Sequence, residues 1–304
     1  MNRLSLLAAV IVVAAGAISA QTPAQIATDA AEAQAWRDKH EADYRRDWVS
    51  IAGLFQFKAG RNTAGSAERN DIQLPPSVPA SFGVFTLTGN SVRFEPDASA
   101  LSVVKVNNKP ATGPMVLKDD GGPGTDELTV GDVRMSVHVS GEHRGLRVRD
   151  PKGPLATGFK GFTWFTIDPK YRVTGKFIRD AEPRSLKVLN TFGDIDEYKT
   201  EGVVEFSLLG KVLRVRPFTT RPNRFYIVFR DASSGHETYE AARFLYSDLK
   251  PDGTTVLDFN EAYNPPCAFN PHTTCPIPLK ENRLSVKILA GEKAYVGHAP
   301  TIKK

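Results

Sequence analysis

The residues whose types suit chemistry are concentrated near the C-terminus, between residues 228 and 293. This stretch holds both cysteines of the 304-residue chain and sets Arg, Asp, Asn, Tyr and Glu side chains between apolar runs. Ordinary cores and linkers do not need that mixture, because a buried polar group costs free energy unless it is paired. We therefore expect a site for a small polar or anionic molecule here. Its candidate binding residues are Arg230, Asp231, Tyr239, Arg243, Asp258, Asn260, Tyr263, Asn264 and Glu292.

These side chains fit more than one role. Asp231, Asp258 or Glu292 could act as the general acid or base of a hydrolase. The oxygen-rich residues 258–264 could instead bind a sugar, a carboxylate or Ca²⁺, or form a buried polar network that fixes the Pro-rich loop. No G-x-S-x-G motif occurs, and residues 233–236 are typical of a turn, so no nucleophile–base pair is predicted and the catalytic residues stay unassigned.

A second polar group lies upstream, where Arg144, Arg147 and Arg149 follow one another closely. On a strand, residues 147 and 149 share a face. A guanidinium presents a planar fork to a carboxylate or phosphate, so these arginines could clamp an anion. The alternative is that they pair with acids such as Asp150 or Asp168. We include Arg147 among the candidate binding residues.

The N-terminus has the pattern of an export signal. Arg3 precedes an unbroken run of apolar or small residues over 4–17, and small residues lead to a predicted cleavage after Ala20. An uncleaved N-terminal anchor is the alternative. No other stretch approaches the 18 apolar residues of a membrane-spanning helix. We therefore predict a periplasmic or secreted mature chain without a transmembrane segment.

Cys267 and Cys275 are eight residues apart, and no other cysteine occurs. In an exported protein such a pair predicts a disulfide, which would stabilise so short a loop by roughly 2.5 kcal/mol. A metal site that includes His272, or a reactive thiol, are the alternatives. The spacing matches no established zinc pattern. We predict the disulfide, no metal and no cofactor.

The composition argues against two classes of protein, disordered proteins and nucleic-acid-binding proteins. With 41% hydrophobic and 24% charged residues, the chain resembles a folded globular protein rather than a disordered one. The formal charge of +5 is spread along the chain, without a run of five basic residues. Nucleic-acid binding needs a clustered basic face, so we predict no nucleic-acid partner. The composition predicts no oligomeric state.

Local patterns predict a mainly β fold. Residues 21–49 are rich in helix-forming residues, and Trp36, Tyr44 and Trp48 are expected to dock this helix onto the body. Short apolar runs broken by Gly, Pro and Asn then recur about every ten residues, which is typical of a β-sandwich or barrel. The predicted parts are a signal peptide over 1–20, a helix over 21–49, a β-sandwich-like half over 50–140 and a β-rich half over 141–304.

The first β half resembles forkhead-associated (FHA) phosphopeptide domains. The similar segments are residues 60–63, 69–74, 106–108 and 128–132. The Ser and His that follow the second of these segments in that family are absent in register. The resemblance therefore implies a sandwich without phosphothreonine recognition.

The second half is similar to domain-of-unknown-function family 1684. The matching residues are 229–235, 238–239, 242–246, 257–269, 274–276 and 290–293, and the similarity extends back through Trp36 and residues 48–74. It implies a shared fold and carries no activity. His272 stands where the family leads us to expect an aromatic residue, which argues against a mechanism that depends on it. The favoured function is ligand binding, with a hydrolase or a structural envelope protein as alternatives.

Overall fold

The computed structural model describes residues 22–297 and begins with a long helix, α1, over Pro23–Tyr44. The Oγ1 atom of Thr22 accepts a hydrogen bond from the Gln25 amide at 3.2 Å, which caps the helix. A proline occupies the first turn, where its missing N–H would have had no partner. The chain continues as a π-helical turn over Arg45–Val49. The predicted N-terminal helix is confirmed, and the predicted export signal lies outside the described residues.

Two mainly antiparallel sheets then form the N-terminal sandwich, which we define as strands β1 to β11. The strand orders are β1-β11-β10-β9-β6-β7 and β3-β2-β4-β5-β8, with β3 parallel to β2. The strands are β1 Ile51–Gln56, β2 Gly60–Gly65, β3 Ile72–Gln73, β4 Gly83–Thr88, β5 Ser91–Pro96, β6 Lys105–Val106, β7 Lys109–Pro110, β8 Met115–Leu117, β9 Glu127–Val130, β10 Val133–Ser140 and β11 His143–Arg149. A short helix, α2, covers Ala98–Leu101. Strand β11 belongs to this sandwich although it lies after residue 140, the predicted boundary between the two halves.

The core of the N-terminal sandwich lies between its two sheets. Phe85 and Phe94 come from one sheet, and their ring centroids are 4.7 Å apart. Leu128 and Met135 come from the other sheet and are fully buried against the same cluster. The alternation of inward apolar and outward polar residues on β5 and β9 is what a two-sheet sandwich requires.

The C-terminal half, which we define as residues 150–297, contains two smaller sheets ordered β14-β13-β12-β18 and β15-β16-β17. The strands are β12 Arg172–Leu189, β13 Ile195–Leu208, β14 Lys211–Val215, β15 Phe218–Arg221, β16 Arg224–Phe229, β17 Arg243–Asp248 and β18 Thr254–Asp258. The helices are α3 Pro154–Gly158 and single 3₁₀ turns at Pro169–Tyr171, Phe259–Glu261, Pro266–Ala268 and Lys280–Asn282. Strands account for 43% of residues 22–297, so the predicted mainly β class is confirmed.

An aromatic cluster docks α1 onto the C-terminal half. Tyr44 and Trp36 pack against Tyr263, with ring centroids 5.6 and 5.9 Å apart. The Arg37 guanidinium lies on the same helix and donates to the backbone carbonyls of Asn260 and Phe165. The helix is therefore held by aromatic packing and by a buried cation whose donors are satisfied. Within residues 22–297, none of the helices is long and apolar enough to cross a membrane.

Several hydrogen bonds join the N-terminal sandwich to the C-terminal half. Asp194, in the turn between the long strands β12 and β13, accepts a hydrogen bond from Ser140 Oγ at 2.7 Å. The Asn270 side-chain amide donates to the backbone carbonyls of Trp48 at 3.0 Å and Ile51 at 2.8 Å. The long β12–β13 hairpin therefore stands beside β10 and β11, and a cleft lies between them.

Candidate functional site

The predicted binding residues Arg243 and Asp231 form a fully buried ion pair. Arg243 Nη1 lies 2.9 Å from Asp231 Oδ2, and both side chains have no exposed surface. The guanidinium also donates to the carbonyls of Ile288 and Ala290. The other carboxylate oxygen, Asp231 Oδ1, accepts from the Ser233 amide at 2.7 Å. These contacts fix β17 to the C-terminal segment and leave no surface for a ligand.

Asp258 and Asn260 form a second internal network. Asp258 Oδ2 lies 2.7 Å from Arg172 Nη1, and its other oxygen accepts from the Asn260 side-chain amide at 2.9 Å. Asn260 also exchanges two 3.0 Å hydrogen bonds with the backbone of Asp168. The cavity beside them measures about 10 Å³, which is room for one water at most.

Asn264 and Glu292 form a third internal hydrogen-bond network. The Asn264 amide donates to Glu292 Oε2 at 2.7 Å, and its side chain donates to Oε1 at 2.8 Å. Glu292 is only 1% exposed, and burial raises its pKa to about 8 despite those two donors. The carboxyl group therefore holds its proton at neutral pH.

Three other predicted residues also lie away from any large opening. Tyr263 is buried in the aromatic cluster under α1. The Tyr239 hydroxyl is directed at the Cys267 carbonyl, 3.5 Å away, and Arg230 pairs with Asn282 through its backbone amide at 3.0 Å. The polar stretch that the sequence singles out is therefore mainly a network that fastens loops to the C-terminal half.

The two cysteines are adjacent but unbonded, so the predicted disulfide is not present. Cys267 and Cys275 are both free, and they approach to 3.2 Å, well beyond the S–S bond length of about 2.05 Å. The Cys267 amide points at the Cys275 sulfur at 3.4 Å. Burial raises the pKa of the Cys275 thiol. Among residues 22–297, no three His, Cys, Asp or Glu side chains come together in a metal-binding group.

The open site lies instead in the cleft between the N-terminal sandwich and the β12–β13 hairpin, which we call the interface cleft. Its volume is about 1060 Å³, enough for a drug-sized molecule. The walls include Trp48, Asp120, His138, Arg147, Asp194 and Thr274. Of the ten predicted binding residues, the structure places Arg147 on this wall and the other nine elsewhere.

Three polar side chains on one wall form a continuous chain of hydrogen bonds. His138, on β10, has its Nδ1 atom 2.7 Å from Asp120 Oδ2 and its Nε2 atom 3.2 Å from Thr274 Oγ1. Because a carboxylate only accepts, Nδ1 carries the proton and Nε2 presents its lone pair to the threonine hydroxyl. Burial lowers the pKa of His138, so the imidazole is neutral at physiological pH.

The carboxylate of Asp120 is held in its ionised form. Burial opposes ionisation, but the hydrogen bonds from His138 and from the Val139 amide at 2.9 Å, with the charge of Arg147, outweigh it and lower the pKa of Asp120. Arg147 Nη1 lies 3.1 Å from the same carboxylate, and its guanidinium lies 5.8 Å from the Trp48 ring centroid. Burial lowers the pKa of Arg147 to about 10, which leaves it charged. Its Nε has no hydrogen-bond partner among the described residues.

The opposite wall is acidic. Asp194 Oδ1 lies 2.9 Å from His143 Nδ1, and Asp196 accepts from the Asn190 side-chain amide at 3.0 Å. The carboxylates around the interface cleft are those of Asp120, Glu142, Asp194, Asp196 and Glu197, and the permanent cations are Arg147 and Lys187. The cleft therefore has a negative field, which favours a neutral or cationic ligand over an anionic one.

Sequence reasoning did not find Asp120, His138 and Thr274. Asp120 lies in a Gly-rich segment that is typical of an ordinary loop, and Thr274 lies in a segment singled out for its cysteine. The only local signal is a histidine between the apolar Val137 and Val139, which lie on β10. Residues 138 and 274 are 136 positions apart, and without the fold nothing in the sequence joins them.

Residues 157–293 match the model of a family described as protein of unknown function, DUF1684. The predicted resemblance to this family is confirmed over those residues. An uncharacterised protein of Haloarcula marismortui, solved in solution, is 29% identical; the match covers 49% of this chain and 85% of that chain, with a TM-score of 0.40. No curated protein matches the sequence.

FHA domains are also similar to part of the chain. The FHA domain of FhaA, solved with the intracellular domain of Rv3910, is 20% identical over 31% of this chain and 86% of that chain, with a TM-score of 0.23. Mycobacterium tuberculosis EmbR, solved with a low-affinity phosphopeptide, is 17% identical over 40% of this chain and 30% of that chain, with a TM-score of 0.22. A weak FHA-like similarity is thus confirmed, and scores this low carry no functional argument.

Proposed function

We propose that this protein is an exported ligand-binding protein and that the interface cleft holds a small polar molecule. The observation that carries the proposal is the cleft itself, about 1060 Å³ of open space between the N-terminal sandwich and the C-terminal half. Pockets of this size with a few convergent polar groups are the usual sites for small ligands. Export rests on the N-terminal sequence pattern described above.

The walls favour a particular ligand class. Trp48 offers a half-buried aromatic ring, and the charged guanidinium of Arg147 lies beside it. The hairpin side offers carboxylates, of which Glu197 is exposed. A neutral molecule rich in hydroxyl groups, or one that carries an amine, fits this combination better than a carboxylate or phosphate, because the cleft has more acids than cations.

The alternatives from the sequence find less support. The acids expected to serve a hydrolase, Asp231, Asp258 and Glu292, are each at most 7% exposed and are internally paired. A purely structural protein would account for that buried network. It would not account for an open cleft lined by an aromatic ring, an arginine and a histidine.

The test is a thermal-shift screen of the purified protein against sugars, polyols, amines, amino acids, carboxylates and phosphate compounds. A ligand at 100 times its dissociation constant adds about 2.7 kcal/mol to the free energy of unfolding, which is a readable shift. We expect hits among neutral or amine-bearing compounds. A silent panel, or hits confined to anions, contradicts the proposal.

A charge reversal then locates the site. Glu197→Lys changes an exposed carboxylate at the interface cleft, and Glu182→Lys makes the same change on β12 outside the cleft lining. For an amine-bearing ligand, we expect Glu197→Lys to weaken binding at least about tenfold, or 1.4 kcal/mol, and Glu182→Lys to leave it unchanged. Equal affinity in both variants would place the ligand elsewhere.

A further inference from the structure

We propose that Thr274, His138 and Asp120 form a nucleophile–base–carboxylate relay that hydrolyses small polar esters bound in the interface cleft. This activity rests on the proposed function, because the ester would be the small polar molecule that binds in the interface cleft. Thr274 would be the nucleophile and His138 the general base. Asp120 would be a positioning residue, because it touches the histidine and not the substrate.

The geometry is that of an activated hydroxyl. The nucleophile and its base must lie within about 2.6–3.2 Å, and a third group must orient the base. Thr274 Oγ1 lies 3.2 Å from His138 Nε2, and Asp120 Oδ2 lies 2.7 Å from His138 Nδ1. The three residues come from separate segments, so the relay exists only in the folded chain. Such constellations are recognised by geometry and not by sequence order.

The supporting contacts keep each member in place. Asp120 is fixed by the Val139 amide and by Arg147, so it cannot turn away from the histidine. The segment that carries Thr274 is fixed by Thr191, whose amide donates to the Cys275 carbonyl at 2.9 Å and whose hydroxyl accepts from the Cys275 amide at 3.1 Å. A simple tie between the two halves would need the threonine–histidine hydrogen bond alone. The doubly anchored, ionised carboxylate behind the histidine is what a base requires in addition.

The members are also reachable from the interface cleft. His138 is 11% exposed, Thr274 is half-buried, and both lie on the cleft wall. A neutral imidazole with its Nε2 lone pair directed at a hydroxyl is ready to accept a proton. Burial of His138, which keeps the ring neutral, therefore agrees with the role that the geometry gives it.

The proposed reaction balances without a co-reactant other than water. Thr274 Oγ1 attacks the ester carbonyl carbon while its proton moves to His138 Nε2. The tetrahedral intermediate collapses as the carbon–oxygen bond to the alcohol breaks, and the imidazolium returns that proton to the leaving alcohol. Water then attacks the acyl-threonine with His138 as base, which releases the carboxylic acid and restores the hydroxyl. Asp120 stabilises the imidazolium in both halves.

The cleft chemistry selects the substrate class. The excess of carboxylates disfavours an anionic substrate, and the volume admits a small molecule and not a folded chain. A threonine nucleophile is more crowded than a serine because of its methyl group, which favours a small acyl group. A short-chain ester of a hydroxyl-rich or amine-bearing alcohol fits these limits.

The test uses the full chain with p-nitrophenyl acetate and a fluorophosphonate probe. Hydrolysis is followed by absorbance, and labelling is followed by intact mass and peptide mapping. We expect wild type and Thr274→Ser to hydrolyse the ester and to carry one label at position 274. We expect Thr274→Val and His138→Gln to lose at least 100-fold in hydrolysis, whereas Thr112→Val, an exposed threonine outside the cleft lining, behaves as wild type.

The positioning residue needs its own readout. Asp120→Asn cannot fix the same tautomer, so we expect kcat per folded molecule to fall at least 100-fold while KM stays near that of wild type. The melting temperature falls as well, because the buried Arg147 loses its carboxylate partner. A purely structural Asp120 would lower the melting temperature and leave kcat per folded molecule unchanged.

The outcomes separate the two proposals. Absence of labelling in wild type, or equal labelling of Thr274→Val, overturns the relay. If the screened ligands still bind wild type and Thr274→Val in that case, the proposed binding function stands alone. If ester turnover is lost in Thr274→Val and retained in Thr274→Ser, the relay stands, and with hits among neutral or amine-bearing compounds in the screen both proposals stand.

Discussion

Arg243→Ala should unfold much of the C-terminal half, because the Arg243–Asp231 pair is fully buried. Both side chains have no exposed surface, and the guanidinium also satisfies the carbonyls of Ile288 and Ala290. Removing one partner of a buried pair leaves an uncompensated charge and costs about 3–5 kcal/mol. The two carbonyls lose donors as well, at about 1–3 kcal/mol each. We therefore expect a loss of at least about 5 kcal/mol.

Urea denaturation followed by circular dichroism measures this loss. The matched control is Arg214→Ala, which breaks a pair with Glu205 in which the arginine side chain is 66% exposed. Exposed pairs contribute about 0–1 kcal/mol, so the control should stay close to wild type. The Arg243 and Asp231 side chains are in direct contact, so their effects on stability are coupled. The double variant Arg243→Met/Asp231→Asn should therefore lose less free energy of unfolding than the sum of the losses of the two single variants.

If Arg243→Ala unfolds within about 1 kcal/mol of wild type yet abolishes binding of a ligand found in the screen, then the polar stretch is the binding site. The interface cleft would then not be the ligand-binding site. If Arg243→Ala is destabilised while ligand binding persists in the folded fraction, the network is structural.

Three further predictions follow from buried groups. Because burial raises the pKa of Glu292 to about 8 from an ordinary 4.5, stability from this residue is fully present below pH 4.5 and declines as the pH rises towards 8, by up to about 4 kcal/mol. Glu292→Gln should therefore flatten the fall in urea midpoint between pH 5 and 8, and an unchanged slope would contradict the raised pKa. Asn270→Ala, which removes the donors to the Trp48 and Ile51 carbonyls, should destabilise the junction of the two halves by about 1–3 kcal/mol in the same assay, and a loss below 0.5 kcal/mol would contradict this. Cys267 and Cys275 should be cross-linked by a mild oxidant, seen as a loss of two hydrogens in intact mass and of both alkylation sites; retention of two free thiols would show that their contact is not productive.

The fold class could be read from the sequence because local patterns carry it. The capping threonine and the Ala-rich run specify α1, and the alternation on strands such as β5 specifies one buried face. The FHA-like and family 1684 similarities were found on short segments for the same reason. Strand β11 was harder to place, since its partners β1 and β10 lie before it in the chain and pairing is not a local property.

The site could be read only in part, because residue type does not reveal burial. Arg147 was found through its arginine-rich strand, and it does line the interface cleft. Arg243, Asp258 and Glu292 have the same polar types as site residues, yet they are buried and paired inside the C-terminal half. A dense polar run in a sequence predicts either a site or an internal network, and solvent exposure is what separates them.

The predicted disulfide likewise shows that residue type and spacing do not determine the structure of a site. The eight-residue spacing brings Cys267 and Cys275 together, as expected, but spacing alone does not decide whether a bond forms between them. The relay of Thr274, His138 and Asp120 shows the opposite case. Apart from the histidine between two valines, its members carry no local signal, because they meet only through the packing of the N-terminal sandwich against the C-terminal half.

The most direct test of the interface cleft is a crystal structure of the protein with the tightest ligand from the thermal-shift screen. We expect electron density for the ligand between Trp48, Arg147 and the β12–β13 hairpin, with Thr274 within contact distance. Ligand density at another surface of the molecule, with the interface cleft occupied by solvent alone, would show that the interface cleft is not the binding site.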